Sequence, residues 1–266
     1  MSVLVVIPAR YPSSRYPGKP LVDLHGATGQ AKSLIRRTWE AGMAVSGADR
    51  VVIATDDDRI RTAAEDFGAE VVMTSDRCRN GTERCAEAAR TLGAGFDIVV
   101  NLQGDAPLTP PWFIEELVAQ LSGHPTAEVA TPVLRCDGRA LKDFQADRRA
   151  GQVGGTTAVF TRDRRALYFS KEVIPYAAGT WEDDAPTPVY HHVGVYAYKP
   201  SALASYPLLP IGPLETLEGL EQLRFLEHEH PMLCVEVEAR GRKFWELNNP
   251  GDVARIEAML KAMGVE

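Results

Sequence analysis

The chain has 266 residues, 45% hydrophobic and 24% charged, with a formal net charge of −7. This is enough chain for one large α/β domain, and too ordinary a composition for a disordered one. The acidic balance argues against a general nucleic-acid binder, and the longest apolar runs are far too short to span a membrane.

Strand and helix patterns alternate along the first half. Val3–Ile7, Val51–Thr55, Val71–Met73 and Ile98–Leu102 read as buried parallel strands. Ala31–Met43, Asp58–Phe67, Gly81–Leu92 and Pro111–Leu121 read as the helices between them. The alternation predicts βαβ units and a parallel sheet. After about Pro125 it breaks. Val129–Leu134, Thr157–Phe160 and Tyr190–Tyr198 read as strands of a mixed sheet, with a loop over Tyr176–Pro188. Leu217–His228 reads as a helix and Met232–Val237 as a strand. A closing helix is expected with Asn249 as N-cap, Pro250 at its first position and Gly264 past its end. The N-terminus enters a strand directly, without a basic leader, so a cytoplasmic protein is expected. Cys78, Cys85, Cys136 and Cys234 form no CxxC pair and read as reduced structural thiols.

Ligands of open α/β sheets sit beyond the carboxyl ends of the strands, so the loops there are where chemistry is sought. The first loop, Pro8 to Pro20, carries Arg10, Arg15 and Lys19 among prolines and small residues. It could wrap a triphosphate or be a solvated basic turn; it is not a Walker A loop. Asp105 in Asn101–Pro107 follows an apolar strand and is either a magnesium ligand or a turn cap. Asn80-Gly81-Thr82-Glu83-Arg84 opens a helix, whose free N–H groups suit an anion, though Asn80 and Glu83 also suit a capping pair. His191-His192 borders an apolar strand, where histidine is more often structural than a ligand, and Pro213–Arg224 by itself reads as a solvated helix face. No GxGxxG follows the first strand, which argues against a dinucleotide-dependent oxidoreductase.

Together the segments IPARYPSSRYPGKPL, ATDD, NGTER, NLQGDAP, ALYFSK, HHVGVYAY, PLETLEGLEQLR and NNPGD resemble the Kdo (3-deoxy-manno-octulosonate) cytidylyltransferases, over nearly the whole chain. The resemblance implies a nucleotidyltransferase Rossmann-like α/β fold: a mostly parallel sheet with helices on both faces and a small mixed-sheet lobe for sugar binding and dimerisation. Residues 1–125 would be mainly the nucleotide part and 126–240 mainly the sugar and dimer part of a single domain. The implied reaction joins CTP to an acidic keto sugar for lipopolysaccharide or capsule, with Mg²⁺, in a homodimer. Ala9, Arg10, Arg15, Lys19, Gly81, Thr82 and Arg84 would bind the nucleotide. Arg10, Lys19 and Asp105 would be catalytic, and Asp105 with Asn248 would hold the metal. Gln103, Lys171, His192, Tyr196, Glu221 and Gln222 would face the sugar.

Three departures from the family pattern stand out. Lys171 takes the place of an arginine, a second arginine is absent from Ala177-Ala178-Gly179, and Asn248 replaces an aspartate. They leave open another acidic or amino-substituted ulosonic acid as acceptor, or a non-catalytic nucleotide-binding relative.

Overall fold

The structure is a computed structural model and describes residues 1–12, 16–152, 155–242 and 245–266. The first strand, β1 (Val3–Ala9), sets the layering. Strands alternate their side chains between two faces. Val3, Val5 and Ile7 pack with Ile35, Ile60, Phe113 and Leu117, while Leu4 and Val6 pack with Cys85, Ala88 and Phe225. Both sets are fully buried, so the strand is apolar throughout rather than alternating.

A hairpin, β2 (Asp23–His25) and β3 (Ala31–Ser33), precedes the first helix, α1 (Leu34–Met43). The expected helix from Ala31 thus starts three residues late. Buried Arg37 donates to the carbonyls of Leu24 and Gln30 and ties the hairpin to α1. The hairpin tip docks on the chain end, where Thr28 donates to the Glu266 carboxylate and Ala27 N–H to the Val265 carbonyl. Both partners are tertiary, and periodicity within one segment cannot register them.

Then follow β4 (Arg50–Thr55), α2 (Asp58–Asp66), β5 (Glu70–Met73), α3 (Gly81–Leu92), β6 (Ile98–Leu102) and α4 (Pro111–Gly123), close to expectation. Asp57 and Asn80 accept N–H groups of the first turns of α2 and α3, so both helices have side-chain N-caps. β5, β4, β1 and β6 lie side by side and parallel.

The second half continues the same sheet. Its elements are β7 (Val129–Asp137), α5 (Gly138–Arg149), β8 (Thr156–Phe160), β9 (Ala166–Ser170), β10 (Pro186–His192) and β11 (Val195–Tyr198). After them come α6 (Pro200–Ser205), α7 (Pro213–Glu218), α8 (Leu223–Glu227), β12 (Met232–Glu236) and α9 (Asp252–Met263). The order is β5-β4-β1-β6-β11-β7-β10-β8-β9, with β12 beside β7. From β6 through β11 to β9 the neighbours run antiparallel.

Several expectations change here. The strand expected over Tyr190–Tyr198 is two strands, interrupted at Val193 and Gly194. The helix expected over Leu217–His228 is also two, because Gly219 adopts φ +60, a conformation that ends a helix and suits glycine. Helix α5, strand β9 and helix α6 have no counterpart in the sequence reading. α5 buries only Gly138 and Leu141, too narrow an apolar face to announce itself. Asn249 does not cap α9: the N-cap is Gly251, and Gly264 closes the helix as expected. Among the described residues, no helix is long and apolar enough to cross a membrane.

One buried ionic cluster joins the halves. Arg224 of α8 is fully buried and donates to both Glu215 oxygens at 2.6 and 2.7 Å, and to Glu83 of α3 at 2.9 Å. Burial opposes its charge, but these bonds outweigh it and its pKa lies above the ordinary arginine value. Arg224→Met would leave Glu215 without its cation in the interior and Glu83 with Arg79 as its remaining arginine partner, at a cost of about 3–5 kcal/mol. Arg36→Ala breaks a half-exposed pair with Glu40 and is expected to cost less than about 1 kcal/mol. Urea unfolding of both variants checks the contrast; equal midpoints would show that the cluster contributes nothing.

Candidate active site

A cleft of about 620 Å³ opens where the carboxyl ends of β1 and β6 meet the start of α3. Its width depends on Gly104, because a Cβ there would come within 2.6 Å of the Pro8 carbonyl oxygen. The loops after β1 and β6 can therefore lie against each other only with glycine between them.

One end of the cleft is cationic. Ala9, Arg10 and Lys19 line it from the loop after β1, and Asp105 lines it from the loop after β6. Arg15 lies outside the described residues. Lys19 Nζ sits 2.5 Å from Asp105 Oδ2, so two residues assigned separately from sequence form one ion pair. Asn248 lines the same end. The Leu247 N–H donates to the Asp105 carbonyl at 2.9 Å, which brings the two proposed metal ligands onto adjoining backbone. Both offer hard oxygen donors, which suits a small divalent cation that keeps waters and phosphate oxygens as its other ligands. Among the described residues, no three His, Cys, Asp or Glu side chains gather into a cage.

The middle of the cleft is the N-terminus of α3. Gly81 lines it and Thr82 does not. The Thr82 hydroxyl is buried against the Tyr198 hydroxyl, and its N–H donates to Glu221 Oε2 at 3.0 Å, so Thr82 holds the wall instead of facing a ligand. Arg84 lines the cleft, but its guanidinium is committed to Thr74 Oγ1 and to Asp56 at 3.3 Å. It braces β4 and β5 against α3 rather than offering a free cation.

The far end is built by the break between α7 and α8. Gly219 through Gln222 line it, together with Lys171, His192 and Tyr196. Gln103 Nε2 donates to Glu221 Oε1 at 2.9 Å. Burial raises the Glu221 pKa, partly opposed by its bonds from Thr82 and Gln103. Tyr196 donates to Gln222 Oε1 at 3.1 Å, while Gln222 Nε2 is buried with no protein partner. His192 is clamped between Thr131 and Thr156 hydroxyls at 3.0 and 2.9 Å, and burial pushes its pKa down to about 3. Buried beside it, His191 is pushed down to about 4. Both rings are neutral hydrogen-bonding groups at physiological pH. The cysteines are no nucleophiles: burial pushes Cys78, Cys136 and Cys234 up to about 12.

Sequence reasoning missed several residues that line the cleft, among them Arg79, Phe144, Thr156, Trp245 and Glu246. Arg79 adjoins a motif that had been singled out, and Trp245 and Glu246 lie just before Asn248, so proximity could have found them. Phe144 sits on α5, which gave no signal.

A family model described as cytidylyltransferase matches residues 4–236. A protein of Maricaulis maris named 3-deoxy-manno-octulosonate cytidylyltransferase is 44% identical over 264 residues, 99% of each chain. One of Shewanella piezotolerans, named 8-amino-3,8-dideoxy-manno-octulosonate cytidylyltransferase, is 40% identical over 98% of this chain and 99% of its own. A solved structure of CMP:2-keto-3-deoxy-manno-octonic acid synthetase complexed with CTP superposes with a TM-score of 0.81 at 31% identity, covering 99% of this chain and all of that one. The match to relatives along their whole length places this chain in the cytidylyltransferase family, with the 3-deoxy-manno-octulosonate cytidylyltransferases.

Proposed function

We propose that this protein transfers CMP from CTP to Kdo, giving CMP-Kdo and pyrophosphate. The observation that carries the reading is the polarity of one cleft. Its nucleotide end is lined by Arg10 and the Lys19–Asp105 ion pair, and its far end by the hydrogen-bonding side chains of Gln103, His192, Tyr196, Glu221 and Gln222 together with the cation Lys171. The first suits a triphosphate, and the second a polyhydroxylated acid. Gln222 Nε2, a buried donor without a protein partner, is suited to a sugar oxygen there.

In the reaction the anomeric hydroxyl attacks the α-phosphorus in line, a new P–O bond forms, and the bond to pyrophosphate breaks. Arg10 and Lys19 offset charge that grows on the leaving pyrophosphate. The triphosphate competes with Asp105 for Lys19, and that exchange frees the carboxylate for a cation. Asp105 and Asn248 would hold a magnesium ion, which when bound would supply counter-charge to phosphate oxygens and favour ionisation of the attacking hydroxyl. The protein's share is otherwise positioning, and no covalent intermediate is needed.

An amino-substituted ulosonic acid is a second reading. Lys171 favours it: lysine presents a point charge where arginine would grip a carboxylate with two parallel bonds. A less rigid cationic wall is a poorer match to a carboxylate and a more tolerant one to an ammonium group.

The protein is also proposed to work as a homodimer in the cytoplasm. Leu208 and Ile211, together with Leu214 and Leu217 of α7, are exposed apolar side chains within ten residues, which suits contact with a second copy.

Three measurements test these readings. Pyrophosphate release is expected to require CTP, Mg²⁺ and an acidic keto sugar together, with Kdo ahead of its 8-amino analogue. A reversed order would favour the second reading, and equal turnover with ATP and a neutral hexose phosphate would end both. Lys19→Ala and Arg10→Ala should each slow turnover by roughly 10²–10³-fold, with stability changed by no more than about 1 kcal/mol; near-normal rates would remove them from the site. Sedimentation velocity should give a dimer that Leu217→Glu disrupts, and a monomeric wild type would refute the pairing.

A further inference from the structure

Asp252 begins α9 and lies outside the cleft, yet its carboxylate does not serve its own helix. It points back along the chain, as side chains in a first helical turn do. Oδ2 accepts the N–H groups of Asn248 and Asn249, at 3.0 and 2.7 Å. Oδ1 accepts the indole N–H of Trp245 at 2.9 Å. Trp245 lines the cleft, and so does Asn248. The guanidinium of Arg255, one helical turn beyond Asp252, covers the Trp245 ring at 3.4 Å. Between these residues, Leu247 is fully buried, and its N–H reaches the Asp105 carbonyl.

Resting on the reading of Asn248 as a magnesium ligand, we propose that Asp252 is the positioning residue of the metal end of the cleft. It fixes the Asn248 backbone and the Trp245 indole together through its two oxygens. The argument turns on acceptor count. A carboxylate accepts on both oxygens, whereas an amide has one acceptor oxygen and one donor nitrogen. Asp252→Asn keeps shape and volume but must set an NH₂ against a donor, either the indole or the paired backbone amides. One of the two contacts is then lost. Trp245→Phe deletes the indole donor, so in that background Asp252→Asn can keep its oxygen on the amide pair and meet no opposing donor. The two substitutions should therefore be non-additive, as expected for groups sharing a contact.

The test measures the Mg²⁺ concentration for half-maximal rate in wild type, Asp252→Asn, Trp245→Phe, the double variant and Asn248→Ala. Alongside it, CTP-induced change in tryptophan fluorescence is followed with and without Mg²⁺. Asp252→Asn is expected to raise the Mg²⁺ requirement by roughly 10–100-fold, the usual effect of losing a group that orients a ligand. It should approach Asn248→Ala, while the KM for the sugar moves less than about twofold, because the sugar-facing residues lie on other elements. Its fluorescence response to CTP should shrink even without Mg²⁺, because the indole is released. The double variant should need less Mg²⁺ than Asp252→Asn alone. If Asp252→Asn folds poorly, the Mg²⁺ requirement of the double variant still reads the coupling: it should match that of Trp245→Phe, and a clearly higher requirement would overturn the proposal. An unchanged Mg²⁺ requirement in Asp252→Asn, or strict additivity, would overturn the proposal. A wild type that releases no pyrophosphate from CTP would instead overturn the functional reading beneath it.

Discussion

The Glu221 carboxylate is the contact on which the site depends. It is half-buried between α3 and the end of β6 and accepts from both: the Thr82 N–H at the start of α3 and the Gln103 amide just past β6. An isolated carboxylate in such a place would be costly. Here the free N–H groups and the positive dipole end of α3 offset part of that cost. The raised pKa of Glu221 shows that the offset is incomplete. What the arrangement secures is position. The segment between α7 and α8, from the second half of the chain, is fixed against the two elements that carry the nucleotide end.

A second layer braces this contact. Tyr206 accepts from Asn80, the N-cap of α3, and donates to the Glu221 carbonyl. The Arg224 guanidinium lies 4.2 Å from the centre of the Tyr206 ring and binds Glu83 in the first turn of α3. The start of α3 is thus held at its cap, its first N–H groups and its first acidic side chain, all by residues 206–224. The start of α3 is therefore a fixed wall of the cleft, with its Thr82 N–H already taken by Glu221 and its Glu83 N–H by Asn80.

The opposite end follows another logic. Lys19 and Asp105 neutralise each other within the cleft, and the loop that carries Lys19 is steadied by the stacking of Arg59 on Tyr11, 3.3 Å from the ring centre. Charges poised this way can change partners without first being stripped of water in isolation. A small core of Leu24, Leu34, Leu108, Leu247, Ile256 and Leu260 lies behind them and gathers the hairpin, the loop after β6 and α9. The residues proposed to face a metal and a triphosphate thus rest on the last structural unit of the chain.

The sequence by itself determined the alternating first half, since strands buried on both faces are apolar throughout and their helices carry caps in plain residue chemistry, as at Asp57 and Asn80. It also determined which loops carry the site, because Arg10, Lys19 and Asp105 follow strand ends, and its motifs pointed to the family. Only the tertiary structure decided what each side chain does there. It paired Lys19 with Asp105, turned Thr82 and Arg84 into braces, and made Asp252 rather than Asn249 the organiser before α9. It also split two expected elements at Gly194 and Gly219, opening their backbone to the cleft. Periodicity reports which face of a segment is buried. The partner that a polar group finds across the fold leaves no trace in the spacing of its own segment.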